Sequence, residues 1–152
     1  MSPPYFPQSG GGGSGVLQVV NAPNLASDYA NSNTSFTDIM SQSITMTTGT
    51  KVRAIAALVG SSGTNSTPIQ LQIIDATTSN VIAGCGPQSI SGFQQSDWTG
   101  AMQGTETGLI PGHTYTFKVQ GAAVVAAANS LQINAQSDPT HHHASLTLLE
   151  LP

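Results

Sequence analysis

Three groups of side chains in this chain could support chemistry, and the first is a histidine run. His141, His142 and His143 could offer imidazole nitrogens to a transition metal. Because adjacent residues of an extended chain point in opposite directions, only His141 and His143 could share one ion within a chain. A cupin-type metal enzyme would need ligands across two facing strands, and His113 and Glu106 do not complete that pattern. We expect the run to form a polar turn and predict no metal or other cofactor.

The other two groups are an acid beside the single tryptophan and a lone cysteine. Asp97 and Trp98 are a candidate ligand contact, since a ring face and a carboxylate suit a sugar; a loop anchor or subunit contact is the alternative. Cys85 lies between glycines, which predicts a turn and a structural thiol. The glycine run at 10–13 is followed by a valine-rich segment and not by the helix of a phosphate-binding loop. We predict no catalytic residue and no enzyme.

The chain is poor in ionised side chains. Only 7% of its 152 residues are charged, against about 25% in an ordinary soluble domain. The cations are Lys51, Arg53 and Lys118, and the net charge is −4, so we expect no nucleic-acid partner. No apolar run approaches the ~20 residues of a transmembrane helix, and the amino end lacks a signal-peptide pattern, so we expect no membrane partner. A surface this neutral indicates a chain that lies against copies of itself or against a large partner.

Residues 1–35 are predicted to be an extended arm. Three prolines favour polyproline II geometry, a glycine run follows, and residues 16–20 have the composition of a short strand. We expect the arm to dock on a neighbouring subunit, with that strand added to an exposed sheet edge. A disordered tail and an engineered linker are the alternatives. The arm residues expected to bind a partner are Tyr5, Phe6, Val16, Leu17, Val19 and Val20.

Residues 36–152 are predicted to form one all-β domain, a jelly roll or β-sandwich of about eight strands. Apolar residues alternate with Ser, Thr and Gln, which is typical of strands with one face in the core. The expected strands cover 43–47, 52–59, 69–73, 81–84, 101–107, 114–120, 131–136 and 145–151. The alanine run at 122–128 is either a short helix or a loop.

Two of these segments are apolar on both faces, which means that both faces must be covered. They are 52–59 and the leucine-rich end of the chain at 146–151. We expect an interface between copies in a trimer, with a central strand under a loop as the alternative. The predicted interface residues are Val52, Ile55, Ala56, Leu58, Leu149 and Leu151.

Four segments resemble the jelly-roll domains of tailed-bacteriophage structural proteins: Lys51–Val59, Gln70–Asp75, Leu109–Gln120 and Ser145–Leu151. In those domains a Pro-Gly-x-Thr-Tyr-Thr sequence precedes a core strand, and a Leu-Thr-x-x-Glu-Leu strand closes the chain. The resemblance covers residues 43–151. With the amino-terminal arm included, the chain resembles the small capsid decoration (cement) proteins, including those of thermophilic long-tailed phages.

This resemblance implies a structural virion protein, assembled in the host cytoplasm and located on the capsid exterior. It implies a homotrimer that binds the major capsid protein and reinforces the shell, with the arm clamping neighbouring subunits. The alternative is a phage tail-fibre, receptor-binding or carbohydrate-binding β-sandwich module. That alternative would need an exposed aromatic platform, for which Trp98 is the candidate.

Overall fold

The computed structural model describes residues 15–25, 27, 29–61, 69–88, 97–124, 131–133 and 144–152. The described residues form ten strands and the turns between them, which confirms the prediction of an all-β chain. The strands are β1 (Gln18–Asn21), β2 (Tyr29–Asn31), β3 (Thr37–Thr45), β4 (Lys51–Ser61), β5 (Ile69–Asp75), β6 (Asn80–Gln88), β7 (Asp97–Thr107), β8 (Thr114–Ala123), β9 (Leu131–Ile133) and β10 (Ser145–Leu151). Within these ranges, we find no helix of the length and apolarity that crossing a membrane requires.

Two antiparallel sheets are formed, and the chain passes repeatedly from one to the other. Sheet A has the order β1-β10-β4-β9-β2, with β7 pairing along the whole of β4; sheet B has the order β3-β8-β5-β6. Successive long strands therefore lie in opposite sheets, except for the β5–β6 hairpin. The predicted two-sheet sandwich is confirmed.

The core lies between the sheets and is supplied by the inward residues of every long strand. In β4 the alternate residues Val52, Ala54, Ala56 and Leu58 have at most 1% of their surface exposed. The facing strand β8 contributes Tyr115, Phe117 and Val119, as the alternation in the sequence predicts. Burial of these side chains is the main stabilising term for such a fold, at ~1.5–3 kcal/mol for each large aliphatic or aromatic group.

The structure differs from the predicted arm at its strand. The run expected at 16–20 forms β1, which pairs antiparallel with this chain's own β10, with Val19 opposite Leu149. Val20 packs against the core, so the domain starts before residue 36. The reason is a long-range contact, because β1 pairs with the edge of β10 at the opposite end of the chain. Of the predicted arm residues, Tyr5 and Phe6 lie outside the described residues.

Backbone approaches closely at two glycines, one in a turn and one between the two sheets. A Cβ atom at Gly49, in the β3–β4 turn, would meet the Leu151 carbonyl oxygen and would lie 2.8 Å from Cγ of Glu150. A Cβ atom at Gly104, in β7, would meet the carbonyl group of Ile82 in β6 of the other sheet. Both positions therefore require glycine, and the second fixes the edge at which the sandwich closes.

Candidate interaction surface

The outer face of sheet A carries the outward side chains of β1, β10, β4 and β7, together with Leu17 just before β1. Strand register places them in rows across the sheet; one such row runs from Val19 to Leu149 to Arg53 to Thr105. The residues of this face with described side chains are Leu17, Val19, Asn21, Ser145, Thr147, Leu149, Leu151, Lys51, Arg53, Ile55, Ala57, Ala101, Gln103, Thr105 and Thr107.

Much of this face is apolar although it is exposed. Leu17, Val19 and Ile55 expose 45%, 54% and 37% of their surface, and Leu149 and Leu151 are half-buried beside them. Single exposed apolar residues are ordinary, but a contiguous group marks a surface that contacts another molecule. The described residues leave this group uncovered.

A shallow hollow opens on the same face between β4 and β7. Its volume is about 240 Å³, and Ile55, Ala101, Met102 and Gln103 line it. Ala57 lies directly opposite Ala101 in the register, so two methyl groups stand where larger side chains would fill the space. The hollow is large enough to seat one apolar side chain of another molecule.

Two of the three cations of the chain also lie on this face. Lys51 and Arg53 are two residues apart on β4, so their Cα atoms are separated by about 7 Å along the strand. Both are exposed, and no described carboxylate lies within ion-pair distance of either one. The third cation, Lys118, is on the other sheet, where it pairs with Asp38 at 2.6 Å.

The outer face of sheet B is more polar, and several of its polar groups bond to one another, although Ile74 and the exposed Val81 lie side by side at its edge. The cross-strand pairs are Ser43–Thr116 and Thr45–Thr114, which are exposed, and Gln72–Gln120, which is partly buried, each with a hydrogen bond of 2.8 Å. The hydrogen bond donated by Gln120, and then that donated by Lys118, lower the pKa of Asp38 below its ordinary value. This face satisfies its own polar groups and is suited to solvent.

The buried acid Glu150 has a structural role. Its carboxylate accepts hydrogen bonds from the backbone N–H groups of Gly49 (2.7 Å), Thr47 (2.8 Å) and Thr48 (3.0 Å), and from the Thr47 hydroxyl (2.9 Å). Burial by itself raises the pKa of Glu150, but these donors outweigh it and the pKa lies below its ordinary value. The ionised carboxylate therefore ties the β3–β4 turn to β10.

A second buried acid, Asp75, closes the turn after β5. Its Oδ1 accepts a hydrogen bond from the backbone N–H of Thr77 at 2.8 Å, while Oδ2 has no partner among the described residues. The described part of the chain holds no group of three His, Cys, Asp or Glu residues that could bind a metal ion. Asp75 is a single carboxylate and supplies one ligand only.

The structure places the predicted chemical residues differently from the sequence analysis. Asp97 and Trp98, expected in a loop, are the first two residues of β7 and lie opposite Ser61 and Gly60; their side chains are outside the described part. Cys85, expected in a turn, is within β6. For Cys85 the reason is that its flanking glycines, Gly84 and Gly86, are accommodated in the extended strand. The candidate metal ligands His141 and His143 fall outside the described residues.

The predicted interface residues divide between the core and the surface. Val52, Ala56 and Leu58 are buried inside a single chain, so they are not available to a partner, and for them the central-strand alternative is correct. The physical reason is that β4 is flanked by β10 and β7 and turns alternate residues toward sheet B. The other three predicted residues, Ile55, Leu149 and Leu151, all lie on the outer face of sheet A.

The placement of Lys51 and Arg53 on one exposed face was not predicted from the sequence, where they entered only as part of the charge count. Their spacing of two residues in a strand was the available signal, because it puts both side chains on one face.

Comparison with protein-family models and with curated proteins finds no match to this chain.

Proposed function

We propose that this protein is a structural virion protein that binds the outside of a phage capsid and reinforces it, with the major capsid protein as partner. The observation that carries the proposal is the contrast between the two outer faces. Apart from the exposed Val81 at its edge, sheet B presents polar pairs that satisfy each other, whereas sheet A presents a group of exposed apolar residues, a hollow and two unpaired cations among the described residues. A molecule with one face for solvent and one for contact is suited to coating a larger surface.

The proposal includes the jelly-roll topology that the resemblance implies. Without the short strands β2 and β9, the sheets have the orders β1-β10-β4-β7 and β3-β8-β5-β6. Two interlocked Greek keys produce eight strands in two such sheets, with successive strands crossing between them. The strand order therefore supports a jelly roll.

The proposal also includes a homotrimer and a clamping arm. Because β1 belongs to the chain's own sheet, the arm proposed to reach a neighbour is limited to residues 1–14, with Tyr5 and Phe6 as its apolar groups. Trimer contacts would use surfaces other than the inward side of β4, which is core.

A sedimentation assay with capsids tests this proposal. The purified protein is mixed with heads of the tailed phage whose genome encodes the sequence, and head-bound protein is measured after pelleting. We expect saturable binding and a higher temperature of head disruption when the protein is bound. A variant lacking residues 1–14 is expected to bind more weakly while keeping the melting temperature of the full chain.

Absence of binding to these heads would contradict the proposal. The same purified protein distinguishes the receptor-binding or carbohydrate-binding alternative from this proposal, because that alternative predicts attachment to host cells or to glycans. In that case replacement of Trp98 by Ala would abolish attachment. Light scattering of the free protein measures the oligomeric state directly.

A further inference from the structure

We infer that the outer face of sheet A docks on an acidic patch of the partner protein, which places an apolar side chain in the hollow and carboxylates against Lys51 and Arg53. This inference rests on the proposed function, since it names the face and the chemistry through which the shell protein is held. It comes from the charges, the hollow and the strand register of that face.

The charges of the face indicate the sign of the partner. The chain carries a net charge of −4, yet the only acid that strand register puts on the described outer face of sheet A is Asp97, opposite Ser61 and ten residues along β4 from Lys51, far from both cations. Arg53 stands between Leu149 and Thr105, and Lys51 stands between Leu151 and Thr107. A contact that covered these leucines would also remove water from the two cations, and a cation without water is costly unless an anion replaces it. A partner that fits this face must therefore bring carboxylates.

Among the side chains that the structure describes, a second copy of this chain offers no free acid that would meet that requirement. In a two-fold interface the same patch meets itself, which would bring Lys51 and Arg53 against their own equivalents. On its other faces, every acid whose side chain the structure describes is buried or bonded within its own fold. These acids are Asp38, Asp75, Glu106 and Glu150.

A nucleic acid is also a poor fit for the face. Binding to a polyphosphate backbone depends on many cationic contacts, and two lysine or arginine side chains on an apolar surface supply few of them. The hollow calls for a single apolar side chain, which a protein surface offers. We therefore assign the face to a protein partner.

The register of β4 sets the spacing of the partner groups. Lys51, Arg53 and Ile55 follow one another at intervals of about 7 Å, and Ile55 lines the hollow. Two carboxylates and one apolar side chain at similar intervals would match them. Alternate residues of one extended segment have this spacing, so an acid-x-acid-x-apolar sequence on the partner is the simplest match.

The test uses the full chain and the same phage heads as the sedimentation assay. Binding is measured at about 50 and about 500 mM NaCl, where we expect the affinity of the natural sequence to fall at least about tenfold because salt screens the ion pairs. Arg53→Glu is expected to weaken binding about 30-fold or more at the lower salt, whereas Arg53→Lys retains most of it. The matched control is Ser41→Glu with Gln70→Glu, which adds the same charge change to the outer face of sheet B and is expected to leave binding unchanged.

The outcomes separate this inference from the proposed function. Binding that neither salt nor Arg53→Glu weakens overturns the inference and leaves the proposed function in place. Failure of the natural sequence to bind heads at either salt overturns both. Vesicles of phosphatidylglycerol and phosphatidylcholine are sedimented in parallel, and retention on them would make a membrane the occupant. If sedimentation velocity shows a complex between copies of this chain, and Arg53→Glu dissociates that complex, the molecule that occupies the face is a second copy. Either of these two results overturns the inference.

Discussion

At the scale of single residues, the sandwich depends on a buried carboxylate surrounded by donors. Glu150 is fully buried near the carboxyl end of β10 and receives three backbone N–H groups and one hydroxyl from residues 47–49. In the amide orientation that satisfies both of its ends, Gln18 donates to the second carboxylate oxygen at 3.2 Å. The carboxylate thus joins β1, β10 and the β3–β4 turn, and Gly49 is needed because no side chain fits beside it.

We predict that Glu150→Gln lowers the free energy of unfolding by about 1–3 kcal/mol, since an amide replaces an acceptor among donors. The pKa of Glu150 lies below its ordinary value of 4.5, so the stability that the carboxylate contributes is present above that value. That contribution is lost as the pH falls through the lower pKa of the folded state. Urea unfolding of the two proteins from pH 7 to pH 3 should show the difference between them shrinking below about pH 4.5.

The matched control is Glu106→Gln, because Glu106 is only partly buried and accepts one hydrogen bond, from Asn80 at 3.1 Å. Its substitution should change the free energy of unfolding by less than about 0.5 kcal/mol. Equal losses in the two variants, or a difference for Glu150→Gln that does not vary with pH, would contradict the assigned role.

At the scale of strands, alternation decides which apolar residues are core and which are available for contact. The sequence alone was sufficient to predict an all-β sandwich, because the period of two is clear in β5, β8 and β10. It could not separate the two faces of β4, where Ala56 and Ile55 are both apolar. Only the position of the strand between β10 and β7, with sheet B beneath, assigns them. Of the six residues predicted to form an interface, three therefore lie on the candidate face: Ile55, Leu149 and Leu151.

We predict opposite effects for two neighbouring substitutions in β4. Ala56→Glu places a carboxylate in the core without a partner and should cost about 3–5 kcal/mol, giving an unfolded or aggregated protein. Ile55→Glu places the same group on the exposed face and should change stability by less than about 1 kcal/mol. Circular dichroism melts measure both effects. A normally folded Ala56→Glu protein would show that the inner side of β4 is not core.

At the scale of the whole molecule, the amino-terminal strand is part of the fold. The sequence analysis put the domain boundary at residue 36, because the valine run is short and is preceded by prolines and glycines that favour no strand. What decides its position is long-range: Leu17 donates its backbone N–H to the Glu150 carbonyl oxygen at 2.9 Å, and Val20 packs on the core. A contact between opposite ends of the chain has no local signal in the sequence.

We predict that removing residues 1–14 leaves the melting temperature of the protein unchanged, whereas removing residues 1–21 lowers it. The longer deletion takes away β1, its backbone hydrogen bonds to β10 and the Gln18 side chain. For a chain of this length each kcal/mol lost lowers the melting temperature by about 2–4 °C, so we expect a fall of about 5 °C or more. Calorimetry of the two truncated proteins measures it, and equal melting temperatures would remove β1 from the stability of the sandwich.

Because β1 and β10 are antiparallel neighbours, the first described residues and Pro152 lie at the same end of the sandwich. A circularly permuted gene is therefore feasible: the old ends can be joined through the glycine run at 10–13, and new ends can be opened in the exposed turn at Thr77–Thr78. The same proximity means that a fusion partner joined directly before Gly15 and one joined after Pro152 would start from the same end of the sandwich. A cargo displayed on this protein would accordingly leave both broad faces of the sandwich unobstructed.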